Sequence, residues 1–367
     1  MLINKTTKQN LIAQSIDLHC HGIGSFDFTE IAPTDLKAIE AILASRNHHI
    51  ILTLYLPQQN FRKFLGLLDH FHEGQQQGLY PHIVGLGLEG PLLSSHGGTP
   101  EVGVWFPTQL EWQELAACGK KGLLYSVLSP DIELLTRYTG PTVTWIVETL
   151  LAGGVLPAPG HFLKSDPKAS AQALQSVFDV VKTSGKGPII TDHLYNDMPH
   201  NFKHAWRTAA EKEKRSQELA ALHLDSWSLE SLDDNLGAVP AVIIKNALAG
   251  LVKACINFDG EHVDLAILRK TIDLVGAENI LLMTDSTESH RLGGTKLSPR
   301  KDSSLLYQEE GIVAVGTQGI EKQVDNLLAL GLSLEQITHI TSTNARKVFE
   351  QQQRYLKENK HESVNSI

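Results

Sequence analysis

The sequence predicts an α/β fold, a (β/α)8 barrel of the TIM type, on three observations. Short, apolar, β-favouring runs alternate with helical patterns along the chain, and eight such runs can be counted. Residues of the metal-ligand and acid–base type also fall where those runs end. Strands alternating with helices make parallel βαβ units, eight of them suffice for a closed barrel, and barrels keep their reactive groups at the C-terminal strand ends.

Taken in order, the first strand is the short run 15–18, which opens onto His19-Cys20-His21. Residues 34–45 follow Pro33 and keep a helical apolar spacing. The second strand, 50–55 (IILTLY), is followed by Phe61, Phe64, Leu65, Leu68 and Phe71, a stripe at spacings of three and four that marks one helix face. Strands at 82–88 (HIVGLGL) and 123–128 (LLYSVL) come next, then a helix over 142–152 that stops at Gly153-Gly154. The fifth strand is 155–159 (VLPAP). Asp166-Pro167 then opens a helix running to 183, with a capping residue before a proline in the first turn. Strands at 188–191, 252–258 and 280–284 complete the eight, with helices over 263–275 and 318–330.

Two regions break the rhythm. The stretch 199–240 carries a charged helical segment, AAEKEKRSQELAAL, and reads as an enlarged insertion after strand six. Residues 286–311 read as a long loop after strand eight. The barrel therefore spans 1–350, and the polar run 351–367 is a tail expected to fray.

Composition narrows the function classes. Hydrophobic residues at 42% and charged residues at 20% describe an ordinary globular protein. A net charge of -9 disfavours general nucleic-acid or anionic-membrane binding, and no apolar run reaches the ~20 residues that span a bilayer. Three scattered cysteines and no signal-peptide core fit a cytoplasmic protein.

The strand ends carry the chemistry. Strand one ends in His19-Cys20-His21; alternation turns both imidazoles to one side and Cys20 to the other. Strand three ends in Glu89, strand five in His161, strand six in His193, and strand eight in Asp285; His262 lies in the loop after strand seven. Any one of them has a bland explanation, since the chain has 17 histidines and a lone Asp often closes a turn. Their joint arrival at one rim is hard to explain that way. Imidazoles and carboxylates are the donors that Zn2+, Fe2+ and similar ions accept, and catalytic sites leave one position open for water.

The motifs DLHCHGIGSFDF, GLEGPLL, PGHF, DHLYNDMP, FDGEHVD and LLMTDS, in this order, resemble those of the N-acetylglucosamine-6-phosphate deacetylases of the amidohydrolase superfamily. The resemblance runs from about Asp17 to Phe349. It implies that Glu89, His161 and His193 bind a main divalent metal, and that His19 and His21 help to hold a second with Glu89 bridging. The ions would be Zn2+ or else Fe2+, Co2+ or Mn2+. Asp285 would be the general base and acid and would also be a metal ligand. His262 would polarise the substrate carbonyl, while Asn196, Asp197 and His96 would line the substrate subsite. A homodimer acting on a small N-acyl substrate is the implied setting.

The sequence departs from the family at its ends, where the small β-sandwich domain is expected to be absent or rudimentary. The insertion also leaves no single Arg to match the family's phosphate contact. Amide hydrolysis is thus the firmer expectation, ahead of any one substrate. Deamination or cyclic-amide opening at the same site remains an alternative, as does a non-catalytic binding protein.

Overall fold

The structure, a computed structural model, describes residues 3–196, 198, 202 and 209–364. Helices alternate with strands from the start: α1 (Lys5–Gln14), β1 (Ile16–Ile23), α2 (Leu36–Arg46), β2 (His49–Leu54), α3 (Phe61–Gln76) and β3 (Ile83–Leu92). The pattern continues through α4 (Gln109–Ala117), β4 (Leu123–Leu128), α5 (Val143–Gly153), β5 (Leu156–Pro159), α6 (Pro167–Ser184) and β6 (Ile189–His193). After α7 (Ala209–Ala220), α8 (Leu232–Leu236) and α9 (Ala238–Leu248) come β7 (Val252–Ile256), α10 (Leu265–Val275) and β8 (Ile280–Leu282). Each predicted strand is present within a few residues, and the charged segment of the insertion is helical as expected.

The parallel strands form two sheets. One has the order β5-β4-β3-β2-β1, and the other is β6-β7-β8. At one junction the chain leaving β8 runs beside β1. Asp285 N–H donates to His19 O at 2.8 Å, and the Asp17 carboxylate accepts from Thr284 N–H and hydroxyl at 3.0 and 2.6 Å. At the other junction, the described residues form no hydrogen-bonded ladder between β5 and β6, where the sequence predicts one closed sheet. β5 reads LPAP, and Pro157 and Pro159 have no N–H to donate to a neighbour.

The apolar stripe of α3 is buried at Phe61, Phe64, Leu68 and Phe71, while Leu65 is only partly covered. Asp166 caps α6 by accepting from Ala169 N–H at 3.0 Å, with Pro167 in the first turn. α4, which apolar periodicity alone passes over, is opened by a capping box. Thr108 and Glu111 satisfy each other's backbone N–H groups.

The expected loop over 286–311 is interrupted by short strands. β9 (Ser286–Thr287) extends the first sheet beyond β1, followed by β12 (Val313–Gly316) and then antiparallel β11 (Leu305–Tyr307) and β10 (Ser298–Pro299). These strands have two to four residues, too few for alternation to register in the sequence. Their apolar side packs Leu292, Leu297, Leu306 and Val315 around Tyr55.

α11 (Ile320–Ala329), α12 (Leu334–Thr338) and α13 (Asn344–Val364) complete the described chain. The expected fraying tail is corrected at its start, because α13 carries through it. Gln352 is buried, and its amide donates to Leu124 O at 2.8 Å and to Gly154 O. Gln351 and Tyr355 reach Gly187 O and Gly185 O at 2.6 and 2.8 Å. Polar residues hold this segment by hydrogen bonds to loop carbonyls, a signal that apolar periodicity misses. Gln352→Ala should lower stability by about 1–3 kcal/mol in urea unfolding, the cost of stranding buried carbonyls. An unchanged midpoint would show that this contact contributes nothing. Among the described residues, no helix is long and apolar enough to cross a membrane.

Candidate metal centre

Seven predicted residues converge. β1 extends past its expected end to Ile23, so His19 and His21 lie within the strand and share one face, their Nε2 atoms 2.9 Å apart. Cys20 faces away, its thiol directed at Gly22 O. Glu89 on β3 enters between the histidines. Its Oε2 lies 3.0 Å from His19 Nε2 and 2.9 Å from His21 Nε2, and its Oε1 lies 2.8 Å from His161 Nε2 and 3.7 Å from His193 Nε2. All these side chains are buried. Glu89 therefore belongs to two groups of donors at once: His19, His21, Glu89 and Asp285, and Glu89, His161, Asp192 and His193. Within each group the donor atoms lie within 4.8 Å of one another.

Sequence reasoning missed Asp192. Alternation places it on the face opposite His193, yet its Oδ2 lies 3.2 Å from His161 Nε2 and 3.3 Å from His193 Nε2. The pairing of β6 with β7 explains this. Ile190 pairs with Lys253 and His193 with Cys255, so β6 spends one extra residue there. Such a bulge re-aims a side chain. The adjacency of Asp192 to His193 in the sequence was the available signal.

His161 is held from three sides. Its φ of 53° is left-handed, a conformation rare outside glycine that needs support. Ser129 hydroxyl donates to His161 O at 2.7 Å and Ser95 N–H donates to the same oxygen at 3.3 Å, while ring Nδ1 pairs with Ser95 O at 3.1 Å. Buried Asp131 ties these loops together, accepting from Ser94 hydroxyl, Leu163 N–H and Ser170 hydroxyl at 2.7, 2.8 and 2.5 Å. With Nδ1 engaged, Nε2 is the atom left for the centre.

Asp285 also has a left-handed backbone, φ 46°, pinned by its N–H on His19 O and by Gly316 N–H on its own carbonyl, both at 2.8 Å. Its oxygens lie 3.4 Å from His21 Nε2 and 3.5 Å from His262 Nε2. His262 is oriented by a second missed residue, Asp259, whose Oδ2 sits 2.6 Å from Nδ1. Asp259 Oδ1 accepts from the Glu261 and His262 N–H groups, so the FDGEH turn builds its own clamp. Tyr55, also missed, stacks on His21 at 4.7 Å between ring centroids, with its hydroxyl 3.3 Å from Nε2.

Asn196 and His96 are not among the donors of these two groups. Asn196 is buried just after β6. Asp197 falls outside the described residues. His96 lines a cleft of about 840 Å³ with Ser94, Ser95, Arg137 and Lys164, its Nδ1 3.2 Å from Thr99 O. Thr99 in turn donates to Glu89 Oε1 at 3.1 Å.

The donor set fits a divalent cation. Burial pushes the His21 imidazole down, but Asp285 and Glu89 override it and raise the group to about 10. Burial acts the same way on His193, and Asp192 and Glu89 raise it to about 9. Burial would raise Glu89 and Asp285; the surrounding imidazoles hold both below the usual carboxylate range. Three buried carboxylates thus demand positive charge in one small volume. Both oxygens of Asp192, with Nδ1 of His21 and of His193, lack a hydrogen-bond partner. Buried polar atoms are seldom left so.

No protein-family model matches the chain, and no curated protein matches it by sequence. Solved structures do. An N-acetylglucosamine-6-phosphate deacetylase from Pasteurella multocida superposes with a TM-score of 0.66 at 17% identity, over 93% of this chain and 77% of the other. The N-acetyl-D-glucosamine-6-phosphate deacetylase from Mycobacterium smegmatis gives 0.66 at 18% identity, over 92% and 77%. The Thermotoga maritima N-acetylglucosamine-6-phosphate deacetylase gives 0.62 at 18%, over 92% and 78%. At this identity the likeness establishes a common fold.

Proposed function

We propose that this chain is a metal-dependent amide hydrolase, most specifically a deacetylase of an N-acetylated amino sugar or a similar small N-acyl compound. Its two parallel sheets are read as the halves of one (β/α)8 barrel. One observation carries the proposal: Glu89 is shared by two buried groups of metal-type donors, with Asp285 and His262 beside them. The family resemblance of the motifs and the fold shared with the deacetylases support it.

Glu89, His161 and His193 would hold one divalent ion, and His19 and His21 would hold a second with Glu89 between them. Such ions lower the pKa of a water from 15.7 toward ~7 and polarise a carbonyl oxygen. Asp285 accepts the proton of the attacking water on a carboxylate oxygen and returns it to the departing amine. Asp259 holds His262 by Nδ1, which leaves Nε2 to face the oxygen that gains charge, an effect worth ~3 kcal/mol per donor. The buried walls keep bulk water from competing for these groups.

Protein purified without chelator should carry one to two transition-metal ions per chain. It should release acetate from N-acetylglucosamine 6-phosphate or from its unphosphorylated analogue. Chelation should stop the release, and Zn2+, Fe2+, Co2+ or Mn2+ should restore it. Absence of bound metal together with no activation by these ions would refute the reading. Ammonia released in place of acetate would assign the site to deamination.

A further inference from the structure

We propose, building on the amide-hydrolase reading, that Asp131 is a positioning residue of the metal centre. It touches none of the donors. It acts through the loop 94–99 and through Leu163, which together set His161 and Glu89 in place for an ion.

Asp131 lies three residues past the end of β4 and is fully buried, so hydrogen bonds must meet its charge. Its three described donors are neutral and come from three separate pieces of chain. Ser94 hydroxyl donates from the loop after β3 at 2.7 Å, Leu163 N–H from the loop after β5 at 2.8 Å, and Ser170 hydroxyl from α6 at 2.5 Å. β4 lies between β3 and β5 in the sheet, so one carboxylate grips the loops on both sides of it. Ser129 strengthens the grip: its hydroxyl accepts from Ser94 N–H at 2.8 Å and donates to His161 O at 2.7 Å.

The gripped loop reaches two metal-type donors. Ser95 O pairs with His161 Nδ1 at 3.1 Å, and Thr99 hydroxyl donates to Glu89 Oε1 at 3.1 Å. Between them, Gly98 is fixed from the far side. Gln308 amide donates to Gly98 O at 2.6 Å, and a Cβ at Gly98 would collide with Val313 O. Held by Asp131 at one end and by the short strands at the other, the loop presents Ser95 and Thr99 at fixed places. Leu163, two residues after His161, is held by the same carboxylate. Ligands oriented in this way by their outer partners bind a metal more tightly.

Cobalt binding separates positioning from a merely structural tie, without a substrate. Chelator-treated protein is titrated with Co2+ by its d–d absorption, and melting is followed with and without the ion. Asp131→Ala should weaken at least one Co2+ by the 10–100-fold typical of such outer partners, and should shrink the rise in melting temperature that Co2+ gives. Asp131→Asn should bind Co2+ as wild type does. Its amide oxygen can accept from Leu163 and Ser170, and its NH2 can donate to the Ser94 hydroxyl, which reverses easily. Ser94→Ala cuts the arm to the loop alone, should also weaken Co2+, and carries the test if Asp131→Ala does not fold. Melting lowered equally with and without Co2+, at wild-type Co2+ affinity, in Asp131→Ala or Ser94→Ala would make the tie structural and overturn the proposal. Asp131→Asn losing Co2+ as Asp131→Ala does would also overturn it, assigning the effect to charge. Wild-type protein that takes up no Co2+ would overturn the amide-hydrolase reading along with it.

Discussion

Glu89→Gln should empty both metal positions. The amide keeps the shape of the side chain but loses the charge, and it offers one oxygen where the carboxylate offers two. In the native centre Oε2 faces His19 and His21, and Oε1 faces His161. No other side chain belongs to both donor groups found among the described residues, so nothing can replace the bridge. Elemental analysis of the purified variant should find metal reduced from one or two ions per chain to a small fraction. Acetate release should fall with it, beyond the 10²–10⁴-fold that loss of a single proton-transfer group costs. The fold should survive, because the neutral amide also relieves the concentration of buried negative charge. A Glu89→Gln variant that keeps its full metal complement would remove Glu89 from the bridging role.

Asp285→Asn isolates proton transfer from metal binding. The substitution keeps the volume and the backbone bonds to His19 and Gly316, but an amide cannot accept the proton. Turnover should drop by roughly 10²–10⁴, about 3–5 kcal/mol of barrier, while bound metal and melting temperature stay close to wild type. The left-handed backbone at this residue favours Asn over most alternatives, since Asn tolerates that region. A structural role alone would move stability and leave the rate. Near-wild-type turnover on the substrate would clear Asp285 of general-base duty.

The two experiments also separate what the site residues share from what each does alone. Loss of metal without Glu89 tests the centre as a unit. Loss of rate with metal retained, in Asp285→Asn, tests the acid–base step.

The sequence by itself determined the alternation of strands and helices, the ligand types and their order along the chain. His19 and His21 were legible because a strand repeats every two residues, and Glu89, His161, His193 and Asp285 because each follows a strongly apolar run. Those are local properties, and local periodicity reports them.

Only the tertiary structure decided the rest. Asp192 enters the centre through a bulge in β6 that depends on pairing with β7, and on bare space at Gly160 in another strand's loop. Asp259 matters because of where it turns His262, and Tyr55 because the short strands after β8 bury it over His21. Polarity predicts fraying over 351–367, yet Gln352 finds carbonyls at Leu124 and Gly154, more than a hundred residues earlier in the chain. Except for Asp259, three residues from His262, the deciding partner is distant in sequence, and a hydrogen bond or a steric gap leaves no periodic trace in the residues that make it.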